Sequence, residues 1–221
     1  MGDQGLTQAP RHDGGWAETG MRWLGRVTQV VEVSLAWWLT TALGLILLGH
    51  LPASVAAVSV LGRLGTDEAS DRPLADFFGG WRANLLRSNA VGWPATVALL
   101  ILGLNAWVLS RGTHAWMAPM LVATICVGAW LVLAVAYLVV FLADERTRGL
   151  PALRLWRAAL AVPLTSPATA AAWLVCVLSL AVVTWRFTIL LPLAVPGLLA
   201  LLTAWLMRRR LDQTGLLTAV D

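Results

Sequence analysis

The stretch Gly112–Ala143, GTHAWMAPMLVATICVGAWLVLAVAYLVVFLA, contains no Asp, Glu, Lys or Arg. At a rise of about 1.5 Å per residue, a helix of about 20 apolar residues crosses a hydrocarbon core of roughly 30 Å. Three other stretches of comparable length also lack these four residue types: Ser88–Ser110, Ala158–Trp185 and Phe187–Met207. The pattern predicts an all-α fold, and specifically a polytopic helical membrane protein.

A fifth hydrophobic stretch, Val27–Gly62, carries only Glu32 and His50 as ionisable residues. We interpret it as a helical hairpin that turns at His50–Leu51–Pro52, which gives six membrane segments in three hairpins. The second half of this hairpin, Leu51–Gly62, covers only about 18 Å as a helix. The sequence therefore leaves open whether this half crosses a thinned bilayer or is re-entrant.

Three residues at the turn of this first hairpin are assigned a structural role: Gly49, Pro52 and Ala53. Pro52 suits the start of a short helix, because the N–H that proline lacks is not needed there. We expect that replacing both Gly49 and Pro52 with Leu extends the first helix and misplaces the chain that follows.

The basic residues predict the orientation of the chain. All 16 of them are Arg, and only Arg111 and Arg186 fall in outer turns of the six-segment arrangement. The others fall on the opposite side: Arg11, Arg22, Arg26, Arg63, Arg72, Arg82, Arg87, Arg146, Arg148, Arg154, Arg157, Arg208, Arg209 and Arg210. Cytoplasmic loops of membrane proteins are enriched in Lys and Arg. Both termini are therefore predicted to be cytoplasmic, with outer turns at His50–Leu51, Arg111–Thr113 and Arg186.

Composition agrees with this architecture. Hydrophobic residues make up 58% of the chain and charged residues 13%, values that are not typical of a soluble domain. The high pI, about 10.4, comes from Arg at helix ends, where it faces anionic lipids, so no nucleic-acid partner is inferred. We predict a polar N-terminal tail at residues 1–20, a single transmembrane domain at 21–210 and a short C-terminal tail at 211–221.

An amphipathic segment precedes the second hairpin. Its apolar residues follow the i, i+3, i+4, i+7, i+11 spacing of one helical face: Leu74, Phe77, Phe78, Trp81 and Leu85. Pro73 is well placed as the first helical residue. We expect a cytoplasmic helix in the plane of the interface with Phe77, Phe78 and Trp81 in the acyl boundary. The alternative is a helix whose aromatic residues fill the groove of a cytoplasmic partner, with Arg82, Asn84, Arg87 and Trp81 as candidate contact residues.

The same type of segment occurs again later in the chain. Trp81-Arg82-Ala83 and Trp156-Arg157-Ala158 are 75 positions apart, and a hydrophobic hairpin follows each of them. Arg22-Trp23-Leu24 precedes the first hairpin in a similar way. This pattern indicates an internal repeat made of one cytoplasmic amphipathic helix and one transmembrane hairpin.

Three features of the first half of the chain form a pattern: Gly49-His50-Leu51-Pro52-Ala53-Ser54-Val55-Ala56-Ala57, a short helix ending at Arg63, and Phe77-Phe78 with Trp81-Arg82 and Asn84. In these features the chain resembles the YesL-like family of bacterial integral membrane proteins. It implies a multi-pass protein of the bacterial cytoplasmic membrane. Members are often encoded beside carbohydrate ABC transporter components, which implies a link to sugar uptake and names such components as possible partners.

Residues that could carry chemistry are sparse. The sequence has no HExxH motif, phosphate-binding Gly-rich loop or Cys/His cluster, and no nucleophile with a neighbouring base. We therefore predict a protein that is not an enzyme, with no catalytic, cofactor-binding or metal-binding residues. Cys126 and Cys176 are interpreted as buried packing residues, and Asn105 as a residue that forms a hydrogen bond between helices.

Two classes of function remain open at this stage. The first is a non-enzymatic accessory or scaffold protein that lies in the lipid bilayer and is associated with carbohydrate uptake. The second is a small secondary transporter or channel built from repeated hairpins. A continuous polar stripe through the helices would favour transport, and its absence would favour the accessory role.

Overall fold

The computed structural model of the chain describes residues 16–64 and 70–214. Within these ranges the regular structure is helical throughout, as the sequence predicts. The helices are α1 (Trp16–Leu43), α2 (His50–Leu61), α3 (Pro73–Ser110), α4 (Met117–Ala143), α5 (Ala152–Thr165), α6 (Pro167–Arg186), α7 (Leu190–Leu193) and α8 (Val195–Thr214). A short 3₁₀ turn, Glu145–Thr147, follows α4.

The centre of the fold is α2, which packs against α1, α3, α4 and α8. Its sequence, HLPASVAAVSVL, has no polar stripe, and its buried residues lie on every side. A helix that is apolar all round is expected to be covered all round. Because α2 has only 12 residues, it is about 18 Å long, well short of the roughly 30 Å of a hydrocarbon core.

Three helices of the described residues are long and apolar enough to cross a membrane: α3, α4 and α6. The apolar part of α8, Val195–Met207, and the whole of α2 are shorter. This architecture is typical of a helical membrane protein. The sequence predicts six membrane segments in three hairpins, and these three helices account for only part of that prediction.

The predicted boundary between an interfacial helix and the next span is wrong, because α3 is one continuous helix of 38 residues. Pro73 is its first residue, as predicted. No stop signal occurs between the amphipathic segment and the apolar run. Pro94 lies inside the helix and does not end it. The residues around it are held in the protein interior, since Val91, Gly92, Ala95 and Thr96 are buried.

The aromatic residues at the start of α3 face the protein interior, so the prediction that they insert into lipid or a partner's groove needs correction. Phe77 is fully buried, and Phe78 and Trp81 pack against the same hydrophobic core. The rings of Phe77 and Phe78 form an edge-to-face pair with centroids 5.6 Å apart. The amphipathic spacing was predicted correctly, but apart from the exposed Leu74 its apolar face packs against neighbouring helices of the same chain.

The first turn lies before the position predicted from the sequence. The chain turns at residues 44–49, and His50 already belongs to α2. The helix starts two residues ahead of Pro52. Proline is tolerated at the third position of a helix because the N–H groups of the first turn have no intrahelical acceptor. Trp37 on α1 donates its indole N–H to Ser54 Oγ on α2 at 3.0 Å, which fixes the two helices against each other.

A close contact joins α1 to α8. The backbone N–H of Gly197 donates to Ser34 Oγ at 3.0 Å, in a buried position. A Cβ at Gly197 would lie 2.6 Å from both Ser34 Oγ and the carbonyl oxygen of Val30, so only glycine permits this approach. The contact joins the first and the last helix of the described chain.

Helix α1 begins at Trp16 and α8 extends to Thr214, so residues 16–20 and 211–214 of the two tail segments are helical. The two cysteines differ from their prediction. Cys126 and Cys176 are exposed on α4 and α6 and are not buried packing residues. The prediction for Asn105 is confirmed, since its Nδ2 donates to Thr124 Oγ1 on α4 at 3.2 Å.

Candidate binding cleft

A polar cleft lies where α2 ends, α3 begins and the 3₁₀ turn follows α4. Its volume is about 810 Å³. Its walls are formed by Ser59, Arg63, Ala75, Asp76, Gly79, Gly80, Ala83, Asn84, Leu142, Ala143, Asp144, Glu145, Arg146 and Arg148. Residues far apart in sequence therefore form one concave surface.

Charges of both signs line this cleft. The basic residues are Arg63, Arg146 and Arg148, and the acidic ones are Asp76, Asp144 and Glu145. An ion pair joins the two groups, with Arg148 Nη2 at 3.2 Å from Glu145 Oε1. Both side chains of that pair are largely exposed, so the pair contributes little stability. Because the charges balance, the cleft suits a surface that itself carries both signs.

The wall formed by Asp144–Arg148 is held in shape by its own hydrogen bonds. The Asp144 side chain accepts a hydrogen bond from the Arg146 backbone N–H at 3.0 Å. Thr147 is buried, and its hydroxyl donates to the carbonyl oxygens of Phe141 and Asp144. These bonds satisfy the carbonyls at the end of α4 and leave the charged side chains of the turn pointing outward.

Arg87, predicted as a partner-binding residue, instead makes an internal contact. Its Nη2 donates to the carbonyl oxygen of Thr147 at 2.6 Å. This charge-assisted bond ties α3 to the wall of the cleft and is stronger than a neutral one. Arg87 is half-buried and does not line the cleft.

The other three candidate contact residues are in different environments. Asn84 lines the cleft, and its Nδ2 donates to the carbonyl oxygen of Gly80 at 2.9 Å. Arg82 is exposed beside the cleft. Trp81 is half-buried, and its indole nitrogen is buried with no hydrogen-bond partner among the described residues. Of the four, Asn84 and Arg82 are therefore accessible to a partner.

The three residues assigned to the first turn lie at the opposite end of α2 from the cleft. Gly49 precedes α2, and a Cβ there would lie 2.5 Å from the carbonyl oxygen of Thr40. Pro52 and Ala53 are buried in the first turns of the helix. Their environment is apolar and contributes no side chain to the cleft.

Sequence reasoning missed most of the cleft. Arg63, Arg146 and Arg148 were used only to orient the chain, and Asp76 was not singled out. The signal that marks the site is the run Asp144-Glu145-Arg146-Thr147-Arg148, which mixes both charges directly after an apolar helix. A pairing of this run with the start of α3 requires tertiary structure and has no local sequence signature.

The polar side chains of the cleft can form hydrogen bonds and ion pairs with a bound molecule. Over residues 16–64 and 70–214, no group of three or more His, Cys, Asp or Glu side chains could hold a metal ion. The cleft offers guanidinium donors, carboxylate acceptors and an amide, all suited to hydrogen bonds with polypeptide or polar small molecules.

Comparison with known protein families gives a match to part of the chain. Residues 30–106 match the model of a family described as "Protein of unknown function, DUF624". The matched region extends from the middle of α1 through α2 and most of α3, and it contains one wall of the cleft. No similar curated protein and no similar solved structure was found.

Proposed function

We propose that this chain is a non-enzymatic accessory protein of the bacterial cytoplasmic membrane that binds a protein partner through the polar cleft. Its molecular role is to hold that partner at the membrane surface. The proposal includes the finer topology predicted from the sequence: a multi-pass chain with three hairpins and both termini in the cytoplasm. Helices α3 and α4 form one spanning hairpin, and α6 and α8 form another.

The observation that carries the proposal is the cleft itself. It gathers six ionisable side chains and the amide of Asn84 on one concave surface. Specific protein interfaces combine such charged groups with an ordered scaffold, and charge complementarity sets partner choice and register. The internal hydrogen bonds of the Asp144–Arg148 wall keep this surface ordered before a partner arrives.

The polar groups within the apolar helices support an accessory role over solute transport. Asn105 pairs with Thr124, and the Thr124 hydroxyl also donates to the carbonyl oxygen of Met120. Thr40 and Thr184 likewise donate to carbonyls of their own helices. Groups that satisfy each other in this way stabilise helices and offer few sites to a permeating solute.

The link to carbohydrate uptake rests on the resemblance of residues 20–110 to YesL-like proteins. The partner proposed on this ground is a component of a carbohydrate ABC transporter. The proposed partner contacts Asn84 and the charged side chains of the Asp144–Arg148 wall in the cleft, and Arg82 beside it.

The test is co-purification from native membranes, with transporter subunits quantified by mass spectrometry. The double variant Arg82→Glu with Arg146→Glu should reduce their recovery at least several-fold, since both side chains are exposed and neither guanidinium forms an ion pair in the described residues. The matched control is Arg154→Glu, a charge reversal at an exposed position of α5 that does not line the cleft. Arg87 is left unchanged because its replacement would disturb the fold.

Two results would overturn the proposal. Equal recovery of transporter subunits with the double variant and with the control would show that the cleft does not bind the partner. Solute flux by the purified protein alone in liposomes would instead support the transporter or channel alternative.

A further inference from the structure

The turn between α1 and α2 ends in an exposed apolar surface. Leu45, Ile46, Leu47 and Leu48, here named the apolar tip, have side chains that are 81%, 67%, 40% and 47% exposed. Turns that face water are rich in Gly, Asn, Asp, Ser and Pro, because these residues adopt turn conformations and bind water. Four consecutive large apolar side chains at a turn indicate a different surrounding medium.

All four backbone N–H groups of the apolar tip are hydrogen-bonded within the protein despite its irregular shape. They donate to carbonyls of residues 41–45 at 2.6–3.1 Å. The carbonyl oxygen of Leu48 accepts a hydrogen bond from Asn89 Nδ2 on α3 at 2.9 Å. Non-helical backbone is tolerated at membrane depth only where its polar groups find partners within the protein. Leu45 and Ile46 adopt left-handed backbone conformations, with φ of 52° and 64°, to make this arrangement.

The apolar tip lies alongside α3 and not at its far end. Asn89 contacts Leu48, and Gly92 packs against Leu51. Helix α3 then continues to Ser110, a further 18 residues or about 27 Å. A turn that reached the same water surface as Arg111 would pack near the end of α3. The sequence-based expectation of an outer turn at His50–Leu51 therefore does not fit these contacts.

We propose that α1 and α2 form a re-entrant hairpin whose apolar tip ends among the lipid acyl chains, so that both helices open to the same side. The occupant of this surface is lipid because the tip combines exposed apolar side chains with backbone N–H groups that are all hydrogen-bonded within the protein. The neighbouring part of α3 presents exposed apolar side chains as well, among them Trp93, Val97 and Ile101. This inference uses the membrane placement in the proposed function but is independent of the partner-binding cleft.

The proposal is tested by measuring how a nitroxide label at the tip collides with oxygen and with a water-soluble nickel complex. Leu47→Cys is labelled in the full chain carrying Cys126→Ala and Cys176→Ala, reconstituted in phosphatidylcholine and phosphatidylglycerol vesicles. A second label at Leu45→Cys keeps the test valid if one site is poorly tolerated. Val122→Cys, exposed on α4, is the lipid control, and Thr113→Cys, exposed between α3 and α4, is the water control.

The expected result is high oxygen collision at position 47, like that at 122, and nickel collision several-fold below that at 113. High nickel collision at both tip positions, with 122 still in lipid, would overturn the re-entrant hairpin while leaving the membrane placement intact. Low collision with both reagents at the tip would mean that protein covers it and would also overturn the proposal. Nickel access at 122 would refute the membrane placement itself, and the re-entrant hairpin with it.

Discussion

The two segments that begin with Trp-Arg-Ala start alike and then diverge. Trp81 in α3 and Trp156 in α5 are 75 positions apart, and Arg111, which follows α3, and Arg186, which ends α6, have the same separation. The first segment is one continuous helix, whereas the second breaks at Ser166 into α5 and α6. The two segments have the same length in sequence, but the first forms a single helix and the second forms two.

The break has a local cause. Ser166 precedes Pro167, and the residue before a proline is disfavoured in the helical region; Ser166 has φ −136° and ψ 62°. The positions that correspond at the same spacing are Val91 and Gly92, which have no such restriction. A proline alone does not end a helix in this chain, because α3 continues through Pro94; the two segments differ in that Ser166, before Pro167, has left the helical conformation.

The break also lets α5 pack back on the bundle. Leu155, Ala159 and Val162 are buried, and α5 packs against α4. The indole N–H of Trp156 donates to the carbonyl oxygen of Val91 at 2.8 Å. The indole nitrogen of Trp81, at the matching position of α3, is buried and has no partner among the described residues. The two tryptophans therefore occupy corresponding positions and have different energetic roles.

The largest effect is expected when the break is copied into α3 with Val91→Ser and Gly92→Pro. A proline in a helix interior costs about 3 kcal/mol or more, and any side-chain atom at position 92 meets Leu51. We expect loss of the folded protein in detergent, measured by size-exclusion chromatography and thermal unfolding. The control Val91→Ser alone should keep the fold. Wild-type thermal stability in the double variant would show that the Ser-Pro pair does not cause the break.

A smaller loss of stability is expected from Arg87→Val. This substitution introduces the residue found at the matching position 162, 75 residues later. The change removes the hydrogen bond from Arg87 to the Thr147 carbonyl, and charged hydrogen bonds contribute about 1.5–3 kcal/mol. Chemical unfolding in detergent micelles would measure the difference. The control Arg157→Val removes an exposed Arg of α5 for which the described residues provide no corresponding bond. Equal stability of the two variants would mean that the Arg87 contact adds nothing.

The two tryptophans should respond with opposite signs to the loss of the indole N–H. Trp156→Phe removes the bond to Val91 and should lower the free energy of unfolding by about 1 kcal/mol. Trp81→Phe removes a buried donor without a described partner, so its stability should be unchanged or slightly higher. Thermal unfolding of both variants, followed by near-UV circular dichroism, checks the contrast. A loss of the same size at Trp81 would reveal a bound water or other partner there.

The smallest effects on stability are expected at the arginines of the two Trp-Arg-Ala triplets. Arg82 and Arg157 are both exposed, and surface substitutions change stability by about 0.5 kcal/mol or less. Arg82→Ala and Arg157→Ala should therefore unfold at nearly the wild-type temperature. The two variants should differ in partner recovery, which falls only for Arg82→Ala if the cleft binds the partner. A large loss of stability for either variant would mean that the replaced arginine makes a contact that stabilises the folded protein.

The helical fold and the membrane-like character of the chain follow from its uncharged apolar runs, since these periodicities and lengths are local properties. Pro73 and Asn105 were also predicted correctly. The role of α2 was not predicted, because an apolar stretch of 12 residues has the same sequence pattern whether lipid or protein surrounds it. Arg87 and Phe77 were assigned to a partner or lipid because their internal contacts join segments distant in sequence.

The burial of α2 also sets an order for assembly. Its covering helices include α1, which precedes it, and α8, which leaves the ribosome about 130 residues later. Until α8 arrives, one side of α2 has no protein neighbour, so the nascent chain must be sheltered by lipid or an insertase. A chain shortened to end before Val195 should consequently be a substrate for membrane proteases, whereas the longer chain escapes them once Gly197 closes on Ser34.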